Sequence, residues 1–246
     1  MSISVIMPAY ELEDKIAESI KRAEETVKTL TEEYEIIVVD DGSKDGTYYQ
    51  ALEKARNPNV KVLRHQVNMG KGAAIKTGVK NATGQYTIIL DADMDIDPKG
   101  MKFLIEGLRD HDLIVCSKRH PKSVYRAPFV RKFLSVSFNA IVRLLTGIRF
   151  GDTQTGFKAF RTQGLRKMMD VIVVKRYAYD VELLVVANML RMRALEVPVH
   201  IEQKAMFSVK AALPMLIDVL EIAYRLRIRR WYQKTLNKTM PNTVRA

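Results

Sequence analysis

The chain has 246 residues, of which 47% are hydrophobic, so it can bury the core of one large α/β domain and is too apolar for general disorder. A single cysteine, Cys116, excludes an internal disulfide and a cysteine-built zinc site, and we expect it to be plain core. The net charge of +12 predicts an anionic partner. No segment reaches the ~20 apolar residues of a membrane span, and the first strand starts too early to leave room for a signal peptide, which indicates a reduced, cytosolic protein.

The first half of the chain alternates strands with helices. Strands are predicted near residues 3–8, 34–39, 60–64, 86–90 and 112–116. Helices are predicted near 12–30, 45–56, 71–82 and 98–109, where the apolar period lengthens. Such alternation is typical of a mostly parallel sheet with right-handed crossovers and flanking helices.

The second half changes character. A helix is predicted over 130–146, a loop or short strand over 152–161, a helix near 178–190 and a strand over 194–199. A final long helix is predicted from about 208 to 233, with Pro214 in its first two turns, where proline costs less than in the interior. We therefore expect one α/β domain with a C-terminal amphipathic extension.

Aspartates follow two of the predicted strands. One strand ends in Asp40-Asp41-Gly42-Ser43 and another in Asp91-Ala92-Asp93. Ligands of an α/β sheet sit at the carboxyl ends of its strands, and paired carboxylates there suit Mg²⁺ or Mn²⁺ carrying a diphosphate. Simpler interpretations also stand: a helix cap by Ser43 or Asp45, and a solvated acidic turn before Pro98.

A glycine-bearing turn, Asn68-Met69-Gly70-Lys71-Gly72, leads into a predicted helix. The backbone amides of such a helix start, together with Lys71, suit an anion or the edge of a nucleotide. The turn lacks the full pattern of a phosphate-binding P-loop, so on its own it is a weak signal.

Basic residues are concentrated in two acid-free stretches. The first lies between Asp112 and Asp152 and the second follows Glu221. Both mix Lys and Arg with Leu, Ile, Val and Phe, without the repeated exposed aromatics or the motif of a nucleic-acid-binding protein. An anionic membrane surface or a lipid phosphate fits this mixture better than nucleic acid, and a solvated basic face is the plain alternative.

Taken together, the order and spacing of the motifs resemble inverting family-two glycosyltransferases of the GT-A fold. The resemblance rests on Ile3 to Glu11, Val39 to Thr47, Asn68 to Gly72 and Asp91-Ala92-Asp93. It narrows with Gly151 to Phe160, Tyr179 to Leu184 and Glu196 to Val199, which look like dolichyl-phosphate glucosyltransferases, with dolichyl-phosphate mannose synthases as close relatives. It covers roughly residues 3 to 232.

The resemblance implies a donor site for a nucleotide-diphosphate sugar. Pro8 to Glu11 would frame the nucleoside, Asp40 would hold the base, and Asp91 and Asp93 would bind ribose, diphosphate and the metal, Mg²⁺ or Mn²⁺. The full implied donor set is Pro8, Ala9, Tyr10, Glu11, Asp40, Lys71, Asp91, Ala92, Asp93, Gln154 and Lys204. The Asp-Thr-Gln-x-Gly-Phe-Lys run favours UDP-glucose by resemblance only and leaves GDP-mannose open.

The resemblance also implies an acceptor site and a catalytic set. Residues in the positions used for the acceptor phosphate are Lys118, Arg119, Arg131 and Ser135. The catalytic set is Asp93, Asp152 and Lys210, with Asp152 and Gln154 on the sugar side. The loop that would close over the diphosphate departs from the usual Gly-Ser-Lys, because Ser208-Val209-Lys210 has no glycine, so either Lys204 or Lys210 could reach the donor.

Chemistry refines these roles. A metal ion and a closing lysine would neutralise the leaving diphosphate. A phosphate acceptor, with its second pKa at about 6, needs no general base, so we expect Asp152 to be an orienting group or a sugar contact and not an obligatory base. For Asp180 and Glu182 two roles remain open: a structural one, in which Asp180 caps the helix that follows, and a role in the site.

The C-terminal segment has the pattern of an interfacial helix. Apolar residues recur at roughly helical spacing from Ala211 to Trp231, and arginines follow from Arg225. We expect a catalytic domain over 1–207, an amphipathic membrane-associating helix with a basic tail over 208–246, and peripheral attachment to the cytoplasmic face of a membrane. A core helix with a solvated end is the alternative.

Three hypotheses about the function remain. The first is metal-dependent transfer of a hexose to a membrane polyprenyl or dolichyl phosphate. The second is the same fold acting on a soluble saccharide acceptor, which the basic cluster at 118–135 disfavours. The third is a non-catalytic, membrane-docked nucleotide-sugar binding module, which the intact Asp91/Asp93 pair disfavours. Nucleic acid is not an expected partner, and the sequence does not identify a protein partner.

Overall fold

A seven-stranded sheet forms the centre of the protein in the computed structural model, which describes residues 1–93, 95–202 and 209–239, without the side chains of Glu202 and residues 209–212. Its strands are β1 (Ile3–Ala9), β2 (Tyr34–Asp40), β3 (Val60–Arg64), β4 (Tyr86–Ile89), β5 (Leu113–Ser117), β7 (Lys158–Arg161) and β8 (Ala194–Pro198). Two further short strands, β6 (Val124–Arg126) and β9 (His200–Glu202), pair with each other in parallel.

The helices occupy the intervals between the strands and the end of the described chain. They are α1 (Glu13–Lys28), α2 (Thr47–Lys54), α3 (Lys71–Asn81), α4 (Met101–Gly107), α5 (Phe129–Thr146), α6 (Thr162–Met169), α7 (Tyr179–Met189), α8 (Val209–Arg227) and α9 (Trp231–Thr239). A single 3₁₀ turn at Pro98–Gly100 leads into α4.

The strand order is β3-β2-β1-β4-β7-β5-β8, and every neighbouring pair is parallel except the two that involve β7. The predicted architecture, a mostly parallel sheet flanked by helices, is confirmed. Because β1, β2 and β4 are parallel neighbours, their carboxyl ends lie at one edge of the sheet. That edge brings together the turns that follow Ala9, Asp40 and Ile89.

Both faces of the sheet are covered, which explains the nearly continuous apolar runs of its strands. Along β1, Ile6 enters one buried cluster while its neighbours Val5 and Met7 enter the other. Side chains alternate between the faces of a strand, so the clusters lie on opposite sides of the sheet. Helices α3, α6, α7, α8 and α9 contribute to the first, and α1 and α4 to the second.

The C-terminal segment differs from its prediction. The single helix predicted to reach about residue 233 is two helices, because the chain turns at Arg230, whose φ of 48° lies in the left-handed region. One face of α8 and α9 joins the core through Val219, Ile222, Tyr232 and Leu236. Pro214 lies within the first two turns of α8, as predicted.

Three short elements were not predicted: α6, β6 and β9. Helix α6 places Leu165, Met168 and Met169 in the core at helical spacing, but its eight residues are too few for a clear periodic signal. Strands β6 and β9 have three residues each and form only when distant parts of the chain meet.

Candidate active site

A cavity of about 390 Å³ opens at the carboxyl ends of β1, β2 and β4. Seven residues of the predicted donor site line it: Pro8, Ala9, Tyr10, Lys71, Asp91, Ala92 and Asp93. The remaining lining residues are Leu12, Asp41, Asn68, Gly70, Ala74, Arg176 and Tyr177. The predicted convergence of three separate motifs on one edge of the sheet is therefore what the structure shows.

Two carboxylates and one ammonium group occupy the floor of this cavity. Lys71 Nζ lies 2.7 Å from Asp91 Oδ1 and 3.0 Å from Oδ2, so it pairs with both oxygens of that carboxylate. Asp93 Oδ1 accepts a hydrogen bond from the Asp95 amide at 3.0 Å. Burial, together with the negative charge of Asp91, raises the pKa of Asp93 to about 6. The carboxylates are thus close enough to repel each other, and a second cation would relieve that repulsion.

Gly156 fixes the position of Asp91 from the opposite side. A Cβ added at this glycine would lie 2.1 Å from Asp91 Oδ2, well inside van der Waals contact. Gly156 belongs to the Gly151–Phe160 run, which also contains Asp152 and Gln154, the two residues expected on the sugar side. The structure shows that this run packs directly on the carboxylate.

The two aspartates after β2 have different environments. Asp41 lines the cavity and accepts from the amides of Met69 and Gly70 at 2.9 and 2.7 Å and from His65 Nδ1 at 2.7 Å. Asp40, predicted to hold the base, is fully buried and lies 3.1 Å from Arg64 Nε. It is not a lining residue of the cavity, so Asp41 is the aspartate of this pair at the cavity surface.

The turn between the two aspartates depends on Gly42. Its φ is +73°, and a Cβ there would lie 2.4 Å from the carbonyl carbon of Val67. Glycine therefore provides the positive φ and the close approach that this sharp turn requires.

The start of α3 is not an open anion site. The amides of Gly72 and Ala73 donate to the carbonyl oxygen of Lys175 at 2.7 and 3.2 Å, and those of Met69 and Gly70 donate to Asp41. The expectation that these amides would face a ligand was therefore wrong, because other parts of the chain already accept from them. The side chain of Lys71 lines the cavity and carries the predicted positive charge into it.

Sequence reasoning missed Arg176 and Tyr177. Both line the cavity from the loop between α6 and α7, and both side chains are exposed. The loop is placed there by the hydrogen bonds to Lys175. Their signal in the sequence was a polar Lys-Arg-Tyr break between the apolar run at 171–174 and helix α7, but nothing local indicates which turn that break meets.

Glu11, Lys204 and Lys210 complete the predicted donor and catalytic sets. Glu11 is exposed, has a φ of 52°, and its amide donates to Ser43 Oγ at 3.0 Å; it is not among the residues that line the cavity. Lys204 lies outside the described residues. Lys210 belongs to the first turn of α8, but its side chain is outside the described part of the structure.

The predicted acceptor residues form a second, basic cluster. Arg119 donates to the carbonyl oxygens of Gly151 and Ser135 at 2.8 and 2.6 Å. Ser135 Oγ donates to Gln154 Oε1 at 3.3 Å, and Arg131 hydrogen-bonds Tyr125, over whose ring Lys118 Nζ lies at 5.7 Å. Burial and the neighbouring cations lower the pKa of Lys118. The cluster thus brings together Lys118, Arg119, Arg131 and Ser135, and its three basic side chains give it an excess of positive charge.

Asp152 is the buried carboxylate that contacts Lys118 and Arg119 of this cluster. Its carboxylate is fully buried and accepts from the amides of Lys118 and Gln154 and from Thr155 Oγ1, at 3.0, 2.9 and 2.6 Å. Burial opposes its charge, but Lys118 and these hydrogen bonds outweigh burial and lower the pKa of Asp152. A buried, ionised and hydrogen-bonded carboxylate is a weak base, so this geometry favours the expected orienting role over that of an obligatory base. The expected contact of Asp152 with the sugar stays a prediction.

Asp180 and Glu182 are both buried at the start of α7. Asp180 pairs with the fully buried Lys158 at 2.6 Å. Glu182 accepts from the amides of Val173 and Val174 at 3.0 and 2.7 Å and from Tyr232 Oη at 2.5 Å. These contacts give Glu182 a structural role and fix Asp180 against the core, and Asp180 Oδ2 also lies 3.5 Å from Lys71 Nζ.

Helices α5 and α8 pack side by side and leave apolar side chains exposed. We call these residues the α5–α8 apolar surface: Phe129, Val130, Phe133, Val136 and Leu144 on α5, and Leu213, Ile217, Leu220, Tyr224 and Ile228 on or directly after α8. Phe129 is 81% exposed and Leu144 is 76% exposed. No helix within the described ranges is long and apolar enough to cross a bilayer.

A divalent metal ion fits the carboxylate pair. Hard cations prefer carboxylate oxygens, and Mg²⁺ is commonly held by one or two carboxylates plus phosphate oxygens and water. In the described part of the chain, no group of three or more His, Cys, Asp or Glu side chains is arranged to hold a metal ion. Asp91 and Asp93 would therefore fill part of the coordination shell of such an ion, and water or oxygens of a bound ligand would fill the rest.

Comparison with known sequences and structures gives consistent results. Residues 4–173 match Glycosyl transferase family 2. The chain is 31% identical over 252 residues to a dolichyl-phosphate beta-glucosyltransferase of Dictyostelium discoideum, covering 95% of this chain and 77% of the relative. It is 31% identical over 256 residues to the protein of the same name from Mus musculus, covering 96% and 79%.

Solved structures share the fold at lower identity. Glucosyl-3-phosphoglycerate synthase from Mycobacterium tuberculosis in complex with UDP superposes with a TM-score of 0.69 at 20% identity, covering 91% of this chain and 79% of that one. The same protein with Mn²⁺, UDP-glucose and phosphoglyceric acid gives the same TM-score, identity and share of this chain, with 78% of that chain covered.

Proposed function

The chain belongs to glycosyl transferase family 2, and from this premise we propose that it transfers a hexose from a nucleotide-diphosphate sugar to a polyprenyl or dolichyl phosphate at a membrane surface. Relatives named dolichyl-phosphate beta-glucosyltransferase support glucose as the sugar. The resemblance of the Asp152–Lys158 run to the glucosyltransferases supports UDP-glucose as the donor.

The observation that carries the proposal is the loop Gly151–Gly156, which connects the cavity with the basic cluster. At one end Gly156 packs on Asp91 in the donor cavity, and at the other Asp152 binds the backbone of Lys118 in the basic cluster. The five residues from Asp152 to Gly156 thus connect a carboxylate pair suited to a nucleotide diphosphate with a cation cluster suited to a phosphate. A phosphoryl acceptor beside a nucleotide-sugar donor is the arrangement that the proposed transfer needs.

On the donor side, the chain's own residues would orient the nucleoside and neutralise the charge of the diphosphate. Pro8, Ala9 and Tyr10 provide a wall for the nucleoside, and Asp41 holds the turn opposite. Lys71 and Arg176 bring positive charge to the cavity where the diphosphate would lie. A divalent ion held by Asp91 and Asp93 would supply further charge to the leaving diphosphate.

On the acceptor side, no proton has to be removed. A phosphate monoester has a second pKa of about 6 and is largely a dianion at neutral pH, so its oxygen is already a nucleophile. Lys118, Arg119 and Arg131 would hold that dianion while Asp152 keeps two of them in place. The inverted product follows if the phosphate oxygen attacks the anomeric carbon on the side opposite the diphosphate.

The α5–α8 apolar surface supports a lipid acceptor. Arg131 and Ser135 belong to α5, the helix whose exposed face carries Phe129 and Phe133. A helix with apolar side chains on its exposed face and basic residues alongside is typical of attachment to an anionic membrane. The basic residues after Glu221 would add about 1 kcal/mol each near such a surface. We therefore propose peripheral attachment through α5 and through the segment from residue 208 onward.

Kinetics of two arginine variants test the proposal. Arg131→Ala should raise the KM for polyprenyl phosphate about tenfold or more, because a charge-assisted contact to phosphate is lost, and should leave the KM for the nucleotide sugar unchanged. Arg143→Ala removes the same charge from an exposed position about 18 Å further along the same helix and is the matched control. Equal effects of both variants on the lipid KM would contradict the proposed acceptor site.

A further inference from the structure

A row of alternating charges leads from the cavity into the core. Lys71 Nζ lies 2.7 Å from Asp91 Oδ1 and 3.5 Å from Asp180 Oδ2. Asp180 Oδ1 accepts from Lys158 Nζ at 2.6 Å. The side chains of Asp91 and Lys71 are 24% and 17% exposed, whereas Asp180 is 6% exposed and Lys158 is fully buried. The row therefore has an accessible end at the cavity and a fixed end in the core.

Lys71 carries a positive charge and lies between two carboxylates, Asp91 and Asp180. Burial works against its charge, but Asp91 and Asp180 outweigh burial and raise the pKa of the Lys71 ammonium. Its flexible stem lets the ammonium shift between partners that already lie within 3.5 Å. Asp180 can receive it without leaving Lys158, because the two lysines approach different oxygens of the carboxylate.

We infer that Lys71 is the resident counter-cation of Asp91, that a divalent metal ion must displace it, and that Asp180 is the carboxylate toward which the displaced ammonium moves. This inference rests on the proposed function, because it takes Asp91 and Asp93 as the metal-holding pair. In it Lys71 is a positioning residue that sets how tightly the donor-free protein holds the ion.

Charge balance gives the expected consequence. Asp91 and Asp93 together carry two negative charges when ionised, and Lys71 cancels one of them, so an incoming divalent ion is attracted less strongly. A nucleotide diphosphate adds negative charge to the same cavity, which then accommodates both cations. Metal and nucleotide should therefore bind cooperatively, each strengthening the binding of the other by the same factor.

Mn²⁺ binding to the full chain tests this inference without any measurement of activity. Free Mn²⁺ would be followed by electron paramagnetic resonance at pH 8. Lys71→Met removes the charge and keeps an unbranched stem, and it should strengthen binding of Mn²⁺ alone by about tenfold or more, which corresponds to about 1.4 kcal/mol. Lys71→Gln repeats the test with a polar side chain in case methionine disturbs the fold.

Two controls keep the charge argument separate from general effects. Lys71→Arg retains the positive charge and should bind Mn²⁺ about as weakly as the wild type. Lys15→Met removes a charge whose ammonium lies 3.4 Å from the backbone oxygen of Asp93 but, in the described part of the chain, forms no salt bridge with either carboxylate, so its effect should be small. Addition of UDP should strengthen Mn²⁺ binding in the wild type more than in Lys71→Met.

The outcomes separate the inference from the proposed function. If Asp91→Asn removes Mn²⁺ binding while Lys71→Met and Lys71→Gln bind no more tightly than the wild type, the metal-holding pair stands and the counter-cation inference is wrong. If Asp91→Asn binds Mn²⁺ as the wild type does, the assignment of the pair itself is wrong, and the inference is overturned with it.

Discussion

Gly156 is the residue on which the position of Asp91 depends most closely. No side chain can be added there without moving the carboxylate, since a Cβ would lie 2.1 Å from Asp91 Oδ2. Overpacking of this kind costs about 1–3 kcal/mol when the neighbours must give way. The glycine therefore matters for the donor cavity although it does not line it.

Substitution of Gly156 by alanine should displace Asp91 and weaken binding of Mn²⁺ with UDP by about tenfold, as measured by calorimetry. Gly164→Ala is the matched control: a Cβ there meets only the flexible end of Met192 at 3.2 Å, inside helix α6, where alanine is favoured by up to about 1 kcal/mol. Equal binding by both variants would show that Asp91 does not need the space at residue 156.

Cys116 should be chemically inert in the folded protein. It was expected to be plain core, and the structure confirms this, with the side chain 1% exposed on β5. Burial raises the pKa of the thiol to about 12, so at pH 8 only about one molecule in 10⁴ carries the reactive thiolate. Labelling by iodoacetamide at pH 8, followed by mass spectrometry, should be negligible in buffer and complete in guanidinium chloride. Rapid labelling of the native protein would contradict the buried position.

At the residue scale, the sequence located the site better than it assigned roles. Asp91 and Asp93 could be predicted because a strand end and its next two residues are local features. The choice between Asp40 and Asp41 could not, since it depends on Arg64 and on the amides of residues 69 and 70, which approach from elsewhere in the chain. The orienting role expected of Asp152 stays a prediction, and the hydrogen bonds that support it appear only in the folded structure.

At the scale of elements, the C-terminal helix α9 is tied to the donor cavity. Tyr232 is buried and donates to Glu182, and the same carboxylate accepts from the amides of Val173 and Val174. Those amides belong to the loop that carries Arg176 into the cavity wall. The end of the described chain thus supports a wall of the donor site through one buried carboxylate.

Loss of the Tyr232 hydroxyl should therefore weaken the fold. Tyr232→Phe leaves a buried carboxylate oxygen without its donor, and we expect unfolding by urea to require about 1–3 kcal/mol less free energy. Tyr224→Phe removes a hydroxyl from the exposed face of α8, where the side chain is 52% exposed, and should change stability by less than about 0.5 kcal/mol. A Tyr232→Phe protein as stable as the control would mean that the buried hydrogen bond contributes nothing.

Most elements could be predicted because their apolar pattern is local. Strands β1 to β5 and helices α1, α3, α5 and α7 follow the predicted order, with boundaries that differ by a few residues. The break between α8 and α9 could not be predicted, because the apolar spacing continues across it and the left-handed Arg230 carries no glycine or proline signal. The antiparallel insertion of β7 is likewise a matter of tertiary pairing.

At the scale of the whole molecule, the two binding regions and the apolar surface form one arrangement. The donor cavity lies at the carboxyl edge of the sheet, the basic cluster is joined to it by residues 151–156, and α5 extends from that cluster. A lipid phosphate held by Lys118 and Arg119 would have its hydrocarbon chain beside exposed apolar side chains. The sequence predicted a membrane-associating tail but not the exposed apolar side chains of α5.

The α5–α8 apolar surface should govern attachment to vesicles. Phe133→Ser removes one apolar side chain that is 62% exposed on α5, and we expect partitioning to anionic vesicles to fall about tenfold, since burying a phenylalanine side chain is worth about 1.5–3 kcal/mol. Phe103→Ser, 54% exposed on α4 against the other core cluster, is the control and should have little effect. Vesicle sedimentation measures both. Equal losses would locate attachment elsewhere.

Transfer of radiolabelled sugar into organic-extractable lipid tests the central claim most directly. Purified protein, Mg²⁺ or Mn²⁺ and dolichyl phosphate would be offered a panel of UDP- and GDP-sugars, with Asp91→Ala in parallel. We predict a labelled lipid with UDP-glucose that disappears with EDTA and with the Asp91 variant. Donor hydrolysis without labelled lipid would contradict the lipid acceptor, and the absence of turnover with every donor would contradict the enzyme.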